Sequence, residues 1–136
     1  MEHYFLSDQE LAKRIANCTL NPELFTHEAH LRLAYHHIAS FGLRKAEENL
    51  CEDIRTYATA MGDADKYHET VTVAAVKMVD HFMRKSKKSS FREFIQEYPR
   101  LRTHFRELLD QHYGFNIFKD ERARQQYVAP DLLAFS

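Results

Sequence analysis

Leu43-Arg-Lys-Ala-Glu-Glu-Asn-Leu-Cys-Glu-Asp-Ile-Arg-Thr-Tyr-Ala-Thr-Ala60 runs for eighteen residues without a glycine or proline. Its apolar side chains, Leu43, Ala46, Leu50, Ile54, Tyr57 and Ala58, recur at three- and four-residue spacing. That period matches one face of an α-helix and excludes a half-buried strand, whose side chains alternate every two residues. Gly42 and Gly62 bracket the segment as start and stop signals. Strand-like alternation is absent elsewhere in the chain, and only three glycines and three prolines occur in 136 residues.

Outward from this segment the same period continues. Asn21-Pro22-Glu23 is a start signal, with proline suited to a first helical position, for a helix that runs to Ser40 and ends at Gly42. Before it, Ser7 with Glu10 makes a capping box for a helix through about Asn17. On the other side a helix from about Asp65 to Lys85 precedes the basic, serine-containing stretch Arg84-Lys-Ser-Lys-Lys-Ser-Ser90, read as a solvated connection. Ser90 with Glu93 starts a short helix through Glu97, Pro99 permits another toward His112, and one or two turns are expected around Glu121 to Gln126. The chain therefore reads as an all-α, antiparallel bundle of about five to six helices with a C-terminal tail wrapped on it. Residues 1–136 form one domain.

Nineteen Lys and Arg against twenty Asp and Glu give a formal net charge of −1. No global field draws nucleic acid or anionic lipid. Cys18 and Cys51 lie far apart without a Cys-x-x-Cys spacing and read as small apolar fillers. With a start that has neither a basic nor an apolar leader segment, they point to a reducing cytoplasm. No apolar run approaches the roughly 18 residues of a membrane span.

Chemistry concentrates at two helix starts, Phe25-Thr-His-Glu-Ala-His-Leu31 and Tyr67-His-Glu-Thr70. At about 100° per residue, His27 falls at the centre of the stripe formed by Leu24, Leu31, Ala34 and Ile38, with His30 about 60° to one side. His68 lines up with Val71, Thr72, Ala75, Val79 and Phe82, and Glu69 sits at the edge of that stripe. Three inward imidazoles need partners, because an unpaired buried polar group costs about 1–3 kcal/mol. A divalent transition metal is one: His27, His30 and His68 with Glu69 supply three nitrogens and one oxygen, a set suited to zinc, iron, nickel or manganese. Glu69 or Glu28 is then the candidate catalytic base, and Glu47, on the core face of the third helix, is a further candidate for the fourth ligand. If enzymatic, such a site would activate water or support iron-based oxidation of a small molecule.

A different class competes. His27 and His68 lie in first turns, where the helix dipole disfavours a cation. With Arg32 and Lys66 near in sequence, the same place suits a non-enzymatic module that binds a small anionic ligand or a partner protein, its histidines serving as hydrogen-bonding groups. A third class is a structural interaction protein, for which Phe5, Phe115 and Phe118 would form an exposed patch; they also fit as core anchors of the termini. His36, His81 and His104 are read as surface residues, His37 as lying near the edge beside His30, and His3 as part of a fraying end. No Gly-rich phosphate loop, nucleophile elbow or zincin motif is present, and His27-Glu-Ala-His30 is one residue too short for the last.

Taken together, the Thr-His-x-Ala-His-Leu and Tyr-His-Glu-Thr segments resemble those of a family of small bacterial helical proteins. The resemblance runs from about Pro22 through Ala123-Arg124 and Val128-Ala-Pro-Asp-Leu132. It implies a site made by His27, Glu28, His30, Tyr67, His68 and Glu69 rather than a particular reaction. It also implies that the tail belongs to the fold, with Arg124 and Asp131 pinning it or bordering the site.

Overall fold

The structure, a computed structural model, describes residues 2–135, apart from the side chain of Glu2. Met1 and Ser136, at the ends of the expected single domain, lie outside the described residues. All regular structure within them is helical, and the helices pack on one another as a bundle. A 3₁₀ turn, Glu2–Phe5, precedes α1 (Asp8–Ala16), whose start carries the expected reciprocal capping box between Ser7 and Glu10. Helices α2 (His27–Phe41) and α3 (Leu43–Ala60) are joined through Gly42 alone. Gly42 has φ of +86°, a left-handed backbone that a side chain would strain, so glycine permits the one-residue connection. Then come α4 (Glu69–Lys85), α5 (Phe91–Glu97), α6 (Arg100–Thr103), α7 (Phe105–Asp110) and α8 (Glu121–Gln125).

Two boundaries differ from the sequence reading, and both differences place the site. Pro22 starts only a 3₁₀ turn, Pro22–Leu24; the chain breaks at Phe25, and Thr26 caps a fresh helix by accepting from the Ala29 N–H at 3.1 Å. Likewise Ala64–Lys66 is a separate 3₁₀ turn, and α4 begins only after His68. The segment toward His112 is also divided, at His104, into α6 and α7.

Helices α2, α3 and α4 pack mutually, and their inward residues Leu31, Ala34, Leu50, Val76 and Val79 are fully buried. Leu11 and Ile15 of α1, Phe94 of α5, Leu101, Leu109 and tail residue Phe135 join the same hydrophobic cluster. The tail is fixed by polar contacts as much as apolar ones. Buried Thr70 donates from Oγ1 to the Gln126 carbonyl at 2.9 Å and accepts from the Val128 N–H at 3.0 Å. Asp131 accepts from the Gly114 N–H at 2.8 Å, and Arg124 donates to the Asp65 carbonyl at 3.2 Å, so both pin the tail. Thr70→Val keeps the volume and removes both bonds, and is expected to cost about 1–3 kcal/mol. Urea unfolding would read the loss, and the Val128 amide should exchange faster. An unchanged exchange rate would show that Thr70 does not hold the tail.

Two expectations about the termini are corrected. His3 does not lie on a fraying end: it is buried, with its Nδ1 3.3 Å from Arg32. Phe5 does not anchor the core, being 71% exposed, and Phe115 is exposed as well.

Candidate functional site

The break at Phe25 and Thr26 makes His27 the first residue of α2, so its side chain leaves the helix axis before the inward stripe is established. His27 is exposed rather than central. Its Nε2–H donates to the Leu101 carbonyl at 3.0 Å, and its ring packs 5.0 Å from that of Phe105. His68 is the N-cap of α4. Its Nδ1 accepts from the Val71 N–H at 3.1 Å, and its Nε2–H donates to the Ile117 carbonyl at 2.7 Å. Both ring nitrogens are therefore engaged, and the tautomer is set by the two partners.

His30 differs from both. Its ring borders a cleft of about 440 Å³ between the Pro22–Leu24 turn and the facing ends of α3 and α4. Its Nε2 is shielded from solvent and has no hydrogen-bond partner among the described residues. Burial, with the neighbouring His27 adding to it, lowers its pKa to about 4, so the imidazole is neutral near pH 7. Phe25, Ile54, Tyr57, Met61 and Val71 make the rest of the wall mainly apolar, and the Phe25 ring lies 5.6 Å from that of His30. The other polar groups of the cleft are already used. Tyr57 donates to the Leu20 carbonyl at 2.8 Å, Thr72 to the His68 carbonyl at 2.7 Å, and Tyr67 to Glu69 at 2.6 Å. At the rim Lys66 lies 3.5 Å from Asp63.

Glu69 is held in a second polar group. One of its oxygens accepts from both Tyr67 Oη and Arg55 Nη2, the latter at 2.8 Å, and the Arg55 guanidinium lies over the Tyr67 ring. Cys51 borders this group; burial pushes its thiol up to about 11, so it is protonated and unreactive near pH 7. Glu28 accepts from Tyr4 Oη at 2.6 Å on another face of the protein, and Glu47 pairs with Lys77 at 2.9 Å.

The expected metal set of His27, His30, His68 and Glu69 is not gathered around one point in this arrangement. Among the described residues, no three His, Cys, Asp or Glu side chains are grouped as a metal ion would need. Coordination by all four would require His27 and His68 to leave their carbonyl partners and Glu69 to leave Tyr67 and Arg55. These residues do not fit a metal as they stand. What the arrangement offers is a neutral, half-buried imidazole whose shielded Nε2 can donate or accept one hydrogen bond at an apolar wall.

Arg32, expected near an anion, is instead buried and donates to Asp8 and to two carbonyls of the N-terminal segment. The sequence reading missed the cleft-forming roles of Phe25, Tyr57 and Met61, and it missed Arg55 as the partner of Glu69. The aromatic Phe25 beside Thr26 was the available signal for the first; a contact between side chains on different helices left none for Arg55. Comparison of the chain with protein-family models, curated proteins and solved structures gives no match, so the resemblance to the bacterial helical family rests on its two motifs.

Proposed function

We propose that the protein is a binding module for a small, largely apolar molecule carrying one hydrogen-bonding group, seated in the cleft beside His30. The observation that carries this reading is the shielded, partnerless Nε2 of a neutral imidazole in a wall whose other polar atoms are already paired. Ligand sites have this composition: mostly apolar area with few polar groups that orient the guest, in volumes of roughly 300–1,000 Å³. A ligand hydroxyl or carboxylate reaches the shielded His30 nitrogen by a small shift of the surrounding wall and there removes the cost of an unpaired buried nitrogen, so the protein discriminates against a purely hydrocarbon guest. At the rim Lys66 is balanced by Asp63, so the entrance adds no net charge and the contact with His30 sets the preference.

The test uses 2-naphthol, 2-naphthoate and naphthalene as probes, read by amide chemical shifts of the folded chain. The first two should perturb Phe25, His30 and Val71 and bind at least about tenfold tighter than naphthalene, the equivalent of about 1.4 kcal/mol. His30→Phe should erase that preference while leaving naphthalene bound. Equal binding of all three probes, or a preference untouched by His30→Phe, overturns the reading. A parallel titration with zinc, iron, nickel and manganese tests the metal alternative. Joint shifts of the His27, His30 and His68 rings on adding one ion would favour it over the proposed module.

A further inference from the structure

A second concavity, of about 440 Å³, shares no lining residue with the His30 cleft. It lies between the Glu2–Phe5 turn, the start of α2, and the segment from α5 to α6. Its floor is Glu28, whose Oε2 accepts from Tyr4 Oη at 2.6 Å. Two guanidiniums pack over the Tyr4 ring, Arg32 at 5.2 Å and Arg92 at 4.4 Å from its centroid. Burial, followed by the bond to Glu28, raises the Tyr4 pKa, so the hydroxyl keeps its proton and remains a donor to Glu28.

Above this floor the donors are largely unspent. Arg92 makes its ring contact with Tyr4 and no hydrogen bond or ion pair among the described residues, and Arg102 reaches Glu28 only at 4.0 Å. Each guanidinium offers five N–H groups in a planar fork suited to a carboxylate or phosphate. Buried Ile95, with Pro99, supplies an apolar wall beside them. The charges on the groove, Arg92 and Arg102 against Glu28, leave a net of about +1. That balance selects between the two oxyanions. A monocarboxylate is neutralised, whereas a phosphate dianion is left in excess against the Glu28 carboxylate.

We infer that this groove is a second ligand site, for a small monocarboxylate with an apolar body, held by Arg92 and Arg102 over the Tyr4–Glu28 floor. It is independent of the His30 cleft, so either site stands if the other fails.

Benzoate is the probe, with the isosteric benzamide and the dianionic phenylphosphate as comparison arms, read by chemical shifts of the backbone amides and the arginine Nε–H groups in the intact chain. Benzoate should shift Arg92, Gln96 and Arg102 and bind at least tenfold tighter than benzamide. The double variant R92Q/R102Q should lose that tenfold, and His30→Phe should leave binding in the groove unchanged. Glu28→Gln keeps an acceptor for Tyr4 and removes the floor charge. It should therefore favour phenylphosphate over benzoate by several-fold relative to the unaltered chain. Thermal unfolding of the variants checks that each is folded. If R92Q/R102Q unfolds, single R92Q and R102Q variants, each expected to weaken benzoate severalfold, carry the test. Benzoate no tighter than benzamide, no shifts at Arg92, Gln96 and Arg102, or tighter phenylphosphate binding with Glu28 intact would each overturn the assignment.

Discussion

Stability is expected to fall as the pH drops from about 6.5 to about 4, and two histidines of α2 are the main cause. His30 and His37 each have a pKa lowered to about 4, first by burial and then by a neighbouring histidine, His27 for the one and His36 for the other. In the unfolded chain both return to about 6.5. Between these values the unfolded state binds more protons, so unfolding becomes easier as the pH falls. The penalty is absent above about 6.5 and complete below about 4. A displacement of this size corresponds to at most about 3 kcal/mol for each group, a large share of a small domain's total of roughly 5–15 kcal/mol. Among the described residues no acid pairs with either ring. His37 Nδ1 lies 3.3 Å from the Asn49 amide, and its Nε2, like that of His30, is shielded and partnerless. Urea unfolding at about pH 7 and about pH 4.5, compared between the native chain and H30L/H37L, isolates the effect from the carboxylates common to both. The double variant should lose most of the slope. Parallel slopes in the two proteins would show that these imidazoles titrate normally.

What the sequence made legible follows from the range of the forces involved. Leu43–Ala60 reads correctly because its period, its flanking glycines and its lack of helix breakers all act within a few residues of one another. The Ser7 and Ser90 caps read correctly for the same reason. A helical wheel gives the direction of His27 and His68 only if the helix already includes them. Thr26 and His68 act as caps, which moved one histidine outside the inward stripe and made the other a terminus. The wheel is also silent about the partners of a nitrogen. The carbonyls that engage His27 and His68 belong to Leu101 and Ile117, 74 and 49 residues away, and only tertiary packing brings them there. His30 is the member of the expected set for which inward direction and an uncommitted nitrogen coincide. His3 and Arg32, in contrast, looked peripheral or ligand-facing because burial of a polar side chain depends on partners that periodicity does not encode.

Arg32→Leu is expected to cost about 2–5 kcal/mol, chiefly from the two buried carbonyls it would leave without donors. The Arg32 side chain is only 7% exposed, yet its donors are well used: Nε to Asp8 at 2.9 Å, Nη1 to the His3 carbonyl at 2.8 Å, and Nη2 to the Leu6 carbonyl at 2.8 Å. These bonds dock the Glu2–Phe5 turn and the start of α1 onto α2 and so position Leu6 in the core. Leucine would leave two carbonyls without donors at a buried place, whereas Asp8, half exposed, would return to water. Arg32→Lys separates charge from geometry. A lysine keeps the charge, but its compact ammonium cannot reproduce a planar fork spanning a carboxylate and two carbonyls, so about 2 kcal/mol should still be lost. Chemical denaturation measures both variants, and limited proteolysis near exposed Phe5 reports whether the N-terminal turn has come away. A loss below about 1 kcal/mol in Arg32→Leu, with the N-terminal segment still protected, would mean that apolar packing alone holds it and that these three hydrogen bonds are incidental.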